Sequence, residues 1–132
     1  MANNMESEES LKKRLSKEEY SILREGTTEK PFSGEYINTK EDGSYYCKAC
    51  GAKLFSSDTK FDSGSGWPSF TDPVTQKSIE LVEDNTLGMV RTEVRCKNCS
   101  SHLGHVFEDD PKEKGGLRYC INSGALNLKK DT

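Results

Sequence analysis

The chain has 132 residues, 32% of them hydrophobic, with 19 basic against 22 acidic side chains and a net charge of −3. That length holds one domain of ordinary size, and so thin a core makes an internal staple plausible. The interspersed charge offers no positive field to a phosphate backbone, which argues against nucleic acid, and no apolar run approaches the roughly 18 residues that would argue for a membrane span.

Residues 1–15 are polar and charged, with only Leu11 and Leu15 at helical spacing, and read as a flexible tail or weak helix. The amino terminus lacks the apolar core of a signal peptide, so the expected compartment is the cytoplasm. Ser16-Lys-Glu-Glu19 has the form of a capping box and Gly26 sits where a left-handed stop would fall, which predicts a helix over about 17–25 and starts a single domain running over 16–128. Beyond Pro31, the segments 35–37, 45–47, 78–82 and 88–94 carry β-branched and aromatic residues or alternate, and read as strands. Asp42-Gly43 predicts a hairpin turn between the first two, while 63–66 and 114–116 mark loops. A mainly β fold with antiparallel sheet and short amino-terminal helices is expected.

Five cysteines are present, and four of them form two C-x-x-C pairs. In a reducing compartment this pattern reads as metal ligands plus one thiol. Cys47-Lys-Ala-Cys50 and Cys96-Lys-Asn-Cys99 each continue to a leucine four residues on, an internal echo that suggests two matching turns facing one ion. Four thiolates complete a tetrahedral zinc site, with His102 or His105 as the alternative donors, and such a closed shell leaves no position for water or substrate. The metal is therefore expected to be structural. The long stretch between the pairs means that a sheet-sized segment is clamped at both ends.

Cys120 remains as the free thiol. Arg118, two residues away, would share a sheet face with it in a strand, where a cation favours the thiolate. His102 and His105 follow the second cysteine pair and can exchange a proton near neutral pH. Trp67, held in Gly66-Trp-Pro-Ser-Phe70, can wall an apolar pocket.

With these pieces together, Lys60-Phe-Asp-Ser-Gly-Ser-Gly-Trp-Pro-Ser-Phe70, Gly88-Met-Val-Arg-Thr-Glu-Val94, His102-Leu-Gly-His-Val-Phe107 and Arg118-Tyr-Cys-Ile-Asn-Ser123 resemble the methionine sulfoxide reductases of the B type, from about Ser16 to Leu128. The resemblance implies two antiparallel sheets in a sandwich or open barrel, and reduction of the R epimer of methionine sulfoxide in proteins. It also implies roles. Cys120 attacks as thiolate with help from Arg118 and Asn122, His105 with His102 handles the proton, Trp67 and Phe107 face the S-methyl group, and Asp109 orients the site. The chain departs from the family's pattern at Ser65, where many members carry a resolving cysteine, and at Asp110, where glycine is common. Without that cysteine the sulfenic acid on Cys120 must be reduced by an external thiol, thioredoxin or a smaller one. A monomer is the default expectation. The rival readings are a non-catalytic zinc-ribbon binding module and a zinc hydrolase using the two histidines.

Overall fold

In a computed structural model the described residues are 7–34, 36–37, 39, 42–61, 66–85, 91–107 and 118–130. Helix α1 (Glu8–Arg14) is capped by Ser7, and helix α2 (Lys17–Glu25) by the reciprocal pair in which Ser16 Oγ accepts from Glu19 N–H and Glu19 accepts from Ser16 N–H, each at 3.0 Å. Gly26 ends α2 at φ 76°, a conformation glycine adopts without steric cost. The segment read as a tail or weak helix carries a helix over Glu8–Arg14, because Leu11 and Leu15 bury themselves beside Ile22 and Leu23 of α2.

Nine strands follow among the described residues. Strands β1 (Gly43–Cys47), β2 (Lys53–Ser56) and β9 (Leu126–Lys130) make a three-stranded sheet in the order β2-β1-β9. Strands β3 (Lys60–Phe61), β4 (Ser69–Phe70), β5 (Ile79–Asp84), β6 (Arg91–Cys96), β7 (His102–Phe107) and β8 (Arg118–Ile121) make a six-stranded sheet in the order β3-β4-β8-β7-β6-β5. All pairings are antiparallel. Aromatic side chains join the sheets: the Phe55 ring of β2 stacks on that of Phe70 of β4 at 4.5 Å, and Tyr45 of β1 meets Phe70 edge-on at 5.2 Å. Pairs of this kind add about 0.5–1.5 kcal/mol beyond their area burial, so a few rings compensate for a core short of aliphatics.

Two sequence expectations are corrected. Tyr36 and Ile37 lie in a turn instead of a strand, with the Tyr36 amide donating to Ser123 Oγ at 3.1 Å, and Asp42-Gly43 therefore closes no hairpin. Gly43 opens β1 and pairs with Lys130 of β9, because a long-range partner outcompetes the local turn. The expected loops at 63–65 and 114–116 and the strand residues 88–90 lie outside the described residues. No helix among the described residues is long and apolar enough to cross a membrane.

Candidate active site and metal centre

The two cysteine pairs fold alike. After Cys47 the Gly51 amide returns to the Cys47 carbonyl at 2.8 Å; after Cys96 the Ser100 amide returns to the Cys96 carbonyl at 2.7 Å. Each turn closes with a second bond, Cys47 N–H to Ala52 O at 2.8 Å and Cys96 N–H to Ser101 O at 2.9 Å. The residue after each second cysteine is left-handed, Gly51 at φ 83° and Ser100 at φ 64°. Arginines from the helices brace both turns: Arg14 donates to the carbonyls of Lys48 and Ala49, and Arg24 to that of Cys99.

The two turns bring the four sulfurs within 4.8 Å of one another, with Cys47 to Cys99 at 3.8 Å and Cys50 to Cys96 at 3.5 Å. A tetrahedral thiolate site with bonds of about 2.3 Å sets its sulfurs about 3.8 Å apart, so this cluster is positioned to hold one metal ion. Hydrogen bonds with Cys47, Cys96 and Cys99 push Cys50 well down, while those that Cys47 makes with Cys50, Cys96 and Cys99, together with burial, push it up. Neither histidine joins the cluster, since both ring systems are engaged by carboxylates elsewhere.

Cys120 sits mid-strand in β8, opposite His105 of β7 on one side and Ser69 of β4 on the other. His105 in turn lies opposite Glu93 of β6, so one transverse row runs Glu93, His105, Cys120, Ser69 across four strands. Arg118 shares the face of Cys120 as its spacing predicted, donating from Nη1 to Sγ at 2.9 Å while its guanidinium lies 4.7 Å from the Phe107 ring centre. The close approach of β7 to β8 depends on Gly104, where a Cβ would collide with the Cys120 carbonyl oxygen.

His102 and His105, three residues apart, would point to opposite faces of a regular strand. A bulge resolves this. Val94 pairs with Gly104 but Arg95 pairs with His102, so Leu103 is an extra residue that restores both rings to one side, 5.5 Å apart. Carboxylates from β6 and, one strand further, β5 fix each ring: His102 Nδ1 meets Glu93 at 2.7 Å and His105 Nε2 meets Asp84 at 2.8 Å. Burial holds His102 below the usual imidazole range although Glu93 pulls the other way. Glu93 is itself lowered, because the bonds from Arg95 and His102 outweigh its burial.

A cleft of about 70 Å³ opens over Cys120, lined by Thr28, Trp67, Arg91, His105, Phe107 and Asn122 with the Gly104 backbone. It admits the end of a side chain and is far smaller than a pocket for a whole cofactor. Trp67 forms one wall, its Nε1–H donating to the Glu29 carbonyl at 2.9 Å. Asn122 is buried, its side-chain amide donating to Leu103 O at 3.0 Å and its oxygen accepting from Glu29 N–H at 3.0 Å. The structure therefore brings Cys120, His105, Arg118, Asn122, Trp67 and Phe107 together, with His102 beside His105. Asp109, with Ser65 and Asp110, lies outside the described residues.

Sequence reasoning missed Asp84, Glu93, Ser69, Thr28 and Glu29. Glu93 was within reach, since strand alternation puts it on one face with Arg91 and Arg95; the other four declare themselves only through tertiary pairing.

A family model described as the SelR domain matches residues 15–130. The chain is 53% identical over 126 residues to the peptide methionine sulfoxide reductase MsrB of Synechococcus sp. (strain RCC307), an alignment covering 96% of this chain and 92% of that protein. It is 58% identical over 115 residues to the protein of the same name from Acinetobacter baumannii (strain AYE), covering 87% and 82%. Among solved structures, the crystal structure of the Mis18 "Yippee-like" domain superposes with a TM-score of 0.55 over 70% of this chain and 99% of that one, at 16% identity, a likeness of fold alone.

Proposed function

The chain belongs to the MsrB family of peptide methionine sulfoxide reductases, and from that premise we propose that it reduces the R epimer of protein-bound methionine sulfoxide with Cys120 as the nucleophile. A sulfoxide sulfur resists attack until its oxygen takes a proton, so the reaction needs an acid beside the oxygen and a thiolate facing the sulfur. The observation that carries this reading is the row in which His105 and Cys120 stand opposite each other across β7 and β8, with the Arg118 guanidinium on the sulfur.

In this account the substrate's methyl group lies between Trp67 and Phe107, and Cys120 attacks the sulfoxide sulfur. With Nε2–H of His105 donating to the Asp84 carboxylate, Nδ1 is the nitrogen that takes up the Cys120 thiol proton and hands it on to the sulfoxide oxygen. The sulfoxide gains two electrons and leaves as methionine, while its oxygen ends on Cys120 as sulfenic acid. His102, its pKa lowered by burial, packs edge-on against the His105 ring and orders it. Asn122 steadies the β8 end and Asp109 orients the site. No resolving cysteine stands at position 65, so an external thiol, thioredoxin or a smaller one, restores Cys120, with loss of water and formation of the reductant's disulfide.

We assign the four-sulfur cluster to one zinc ion, which the donor set and spacing suit. Four thiolates close its shell, so its contribution is to folding. Residues 16–128 form the reductase domain, which acts as a monomer in the cytoplasm. The test is turnover of separated R and S epimers of a peptide sulfoxide with a dithiol reductant. R-epimer reduction by the unaltered chain, lost in Cys120→Ser with zinc retained, is expected; a Cys120→Ser chain that still turns over refutes the assignment.

A further inference from the structure

The segment 26–34 has no regular secondary structure, yet it is tied to the Cys120 cleft at several points. Thr28 lines the cleft, and the Phe32 amide donates to the Gly66 carbonyl at 2.7 Å, next to Trp67. Glu29 is the centre of these ties. Its carbonyl accepts from the Trp67 indole and its amide donates to the Asn122 side chain, so one peptide unit on either side of its Cα reaches each wall. The residue is buried at 6% exposure, and its carboxylate accepts from the amides of Ser123 at 2.7 Å and Gly124 at 3.1 Å.

Those two amides open the 3-10 turn Ser123–Ala125, whose cap position is Asn122. An asparagine there ordinarily turns back to cap its own turn. Asn122 makes no such bond; its side chain faces Leu103 and Glu29 instead, and the Glu29 carboxylate caps the turn in its place. The exchange frees the Asn122 side chain for the cleft. The fit is tight as well, since a Cβ at Gly34 would come within 2.5 Å of the Glu29 carboxylate and collide with Ser123 Oγ. Burial pushes the Glu29 carboxyl above its ordinary range although both amides pull it down, so an acid is kept here against a desolvation cost.

We infer that Glu29 is a positioning residue for the Cys120 cleft: its carboxylate anchors segment 26–34 on the Ser123–Gly124 turn, and its own peptide groups hold Trp67 and Asn122 in place. The inference builds on the reductase reading above, but its structural half can be measured without turnover. Trp67 is the sole tryptophan, so its emission reports on that wall directly.

The experiment compares the zinc-loaded unaltered chain with Glu29→Ala and Glu29→Gln, each alone and in a Trp67→Phe background for the kinetics. Glu29→Ala is expected to raise acrylamide quenching of Trp67 and to lower kcat/KM for an R-epimer peptide by about 10- to 100-fold, the cost of misplacing a site by roughly 1 Å. Glu29→Gln keeps one acceptor for two amides and falls between. Because Glu29 works partly through the indole, its kinetic cost shrinks when Trp67 is already phenylalanine. A folded Glu29→Ala with unchanged quenching and unchanged kcat/KM overturns the inference, as does a cost that is the same with and without Trp67. Where Glu29→Ala does not fold, unchanged quenching and kcat/KM in Glu29→Gln overturn it equally. An unaltered chain that reduces neither epimer removes the reductase reading, and the quenching series still decides whether Glu29 holds Trp67.

Discussion

The four-sulfur centre and the Cys120 cleft are both built from cysteines, and they are assembled in opposite ways. At the metal centre each thiol is placed by a short turn that closes on itself within six residues and is braced from outside by an arginine, and the second turn repeats the first. At the cleft the histidines and the indole are aimed by partners from other elements, Asp84 on His105, Glu93 on His102 and Glu29 on Trp67, and only Arg118 on Cys120 comes from the same strand. With the proposed zinc bound, the first arrangement would be a closed fastening whose loss spreads through the fold. The second is an open site whose parts can be disturbed one at a time.

The widest gap between the two is expected from Cys96→Ser. Structural zinc contributes on the order of 10 kcal/mol in small zinc peptides, comparable to the roughly 5–15 kcal/mol that holds a whole domain together. The variant should lose metal, far-UV circular dichroism and turnover together, although Cys96 touches no part of the cleft. Retention of turnover by a metal-free chain would remove the distinction between fastening and site.

Asp84→Asn probes the other side. An asparagine oxygen can still accept from His105 but carries no charge to fix the tautomer, and kcat should fall about 10- to 100-fold, up to the lower edge of the roughly 10²- to 10⁴-fold that positioned acid–base groups contribute. Metal content and circular dichroism should stay as they are. Loss of zinc in this variant would mean that the cleft and the metal centre are one cooperative unit.

A smaller effect comes from His102, whose folded pKa lies below the ordinary 6.5 because of burial, with Glu93 opposing and His105 and Arg95 adding to the shift. Above pH 6.5 the ring is neutral in both states and stability is at its full value. As pH falls below that, the unfolded chain takes the proton first, and stability declines until the folded value is passed. The urea midpoint of the unaltered chain should therefore drop more between neutral and mildly acidic pH than that of His102→Gln; an equal drop contradicts the account of the buried ring.

The smallest expected change sharpens the match between the two turns. Ser100 holds the left-handed position that Gly51 fills in the first turn, φ 64° against 83°. A left-handed residue with a Cβ costs about 1–2 kcal/mol, so Ser100→Gly should raise the melting temperature by a few degrees without altering turnover.

How much of this could be read in the chain follows from the same contrast. The cysteine turns, the Ser16–Glu19 cap and the shared face of Arg118 and Cys120 rest on spacing of a few residues, and all were legible. The bulge at Leu103 was not, because nothing in His102-Leu-Gly-His105 announces an extra residue until β6 is laid beside it. Asp42-Gly43 misled because β9, more than 80 residues away, claims the glycine. Glu29 was invisible for a related reason: its four partners, Trp67, Asn122, Ser123 and Gly124, lie 38 to 95 residues along the chain.

The central claim is that oxidation falls on Cys120 while the four clustered thiols keep their metal. The most direct measurement is a single turnover without reductant: the zinc-loaded chain is mixed with an R-epimer peptide, and methionine, released zinc and the site of a sulfenic-acid trap are quantified together. The account predicts one methionine per chain, no zinc release, and the trap on Cys120 alone. Zinc release with the trap or a disulfide at Cys47, Cys50, Cys96 or Cys99, or methionine formed while Cys120 stays a thiol, would contradict it.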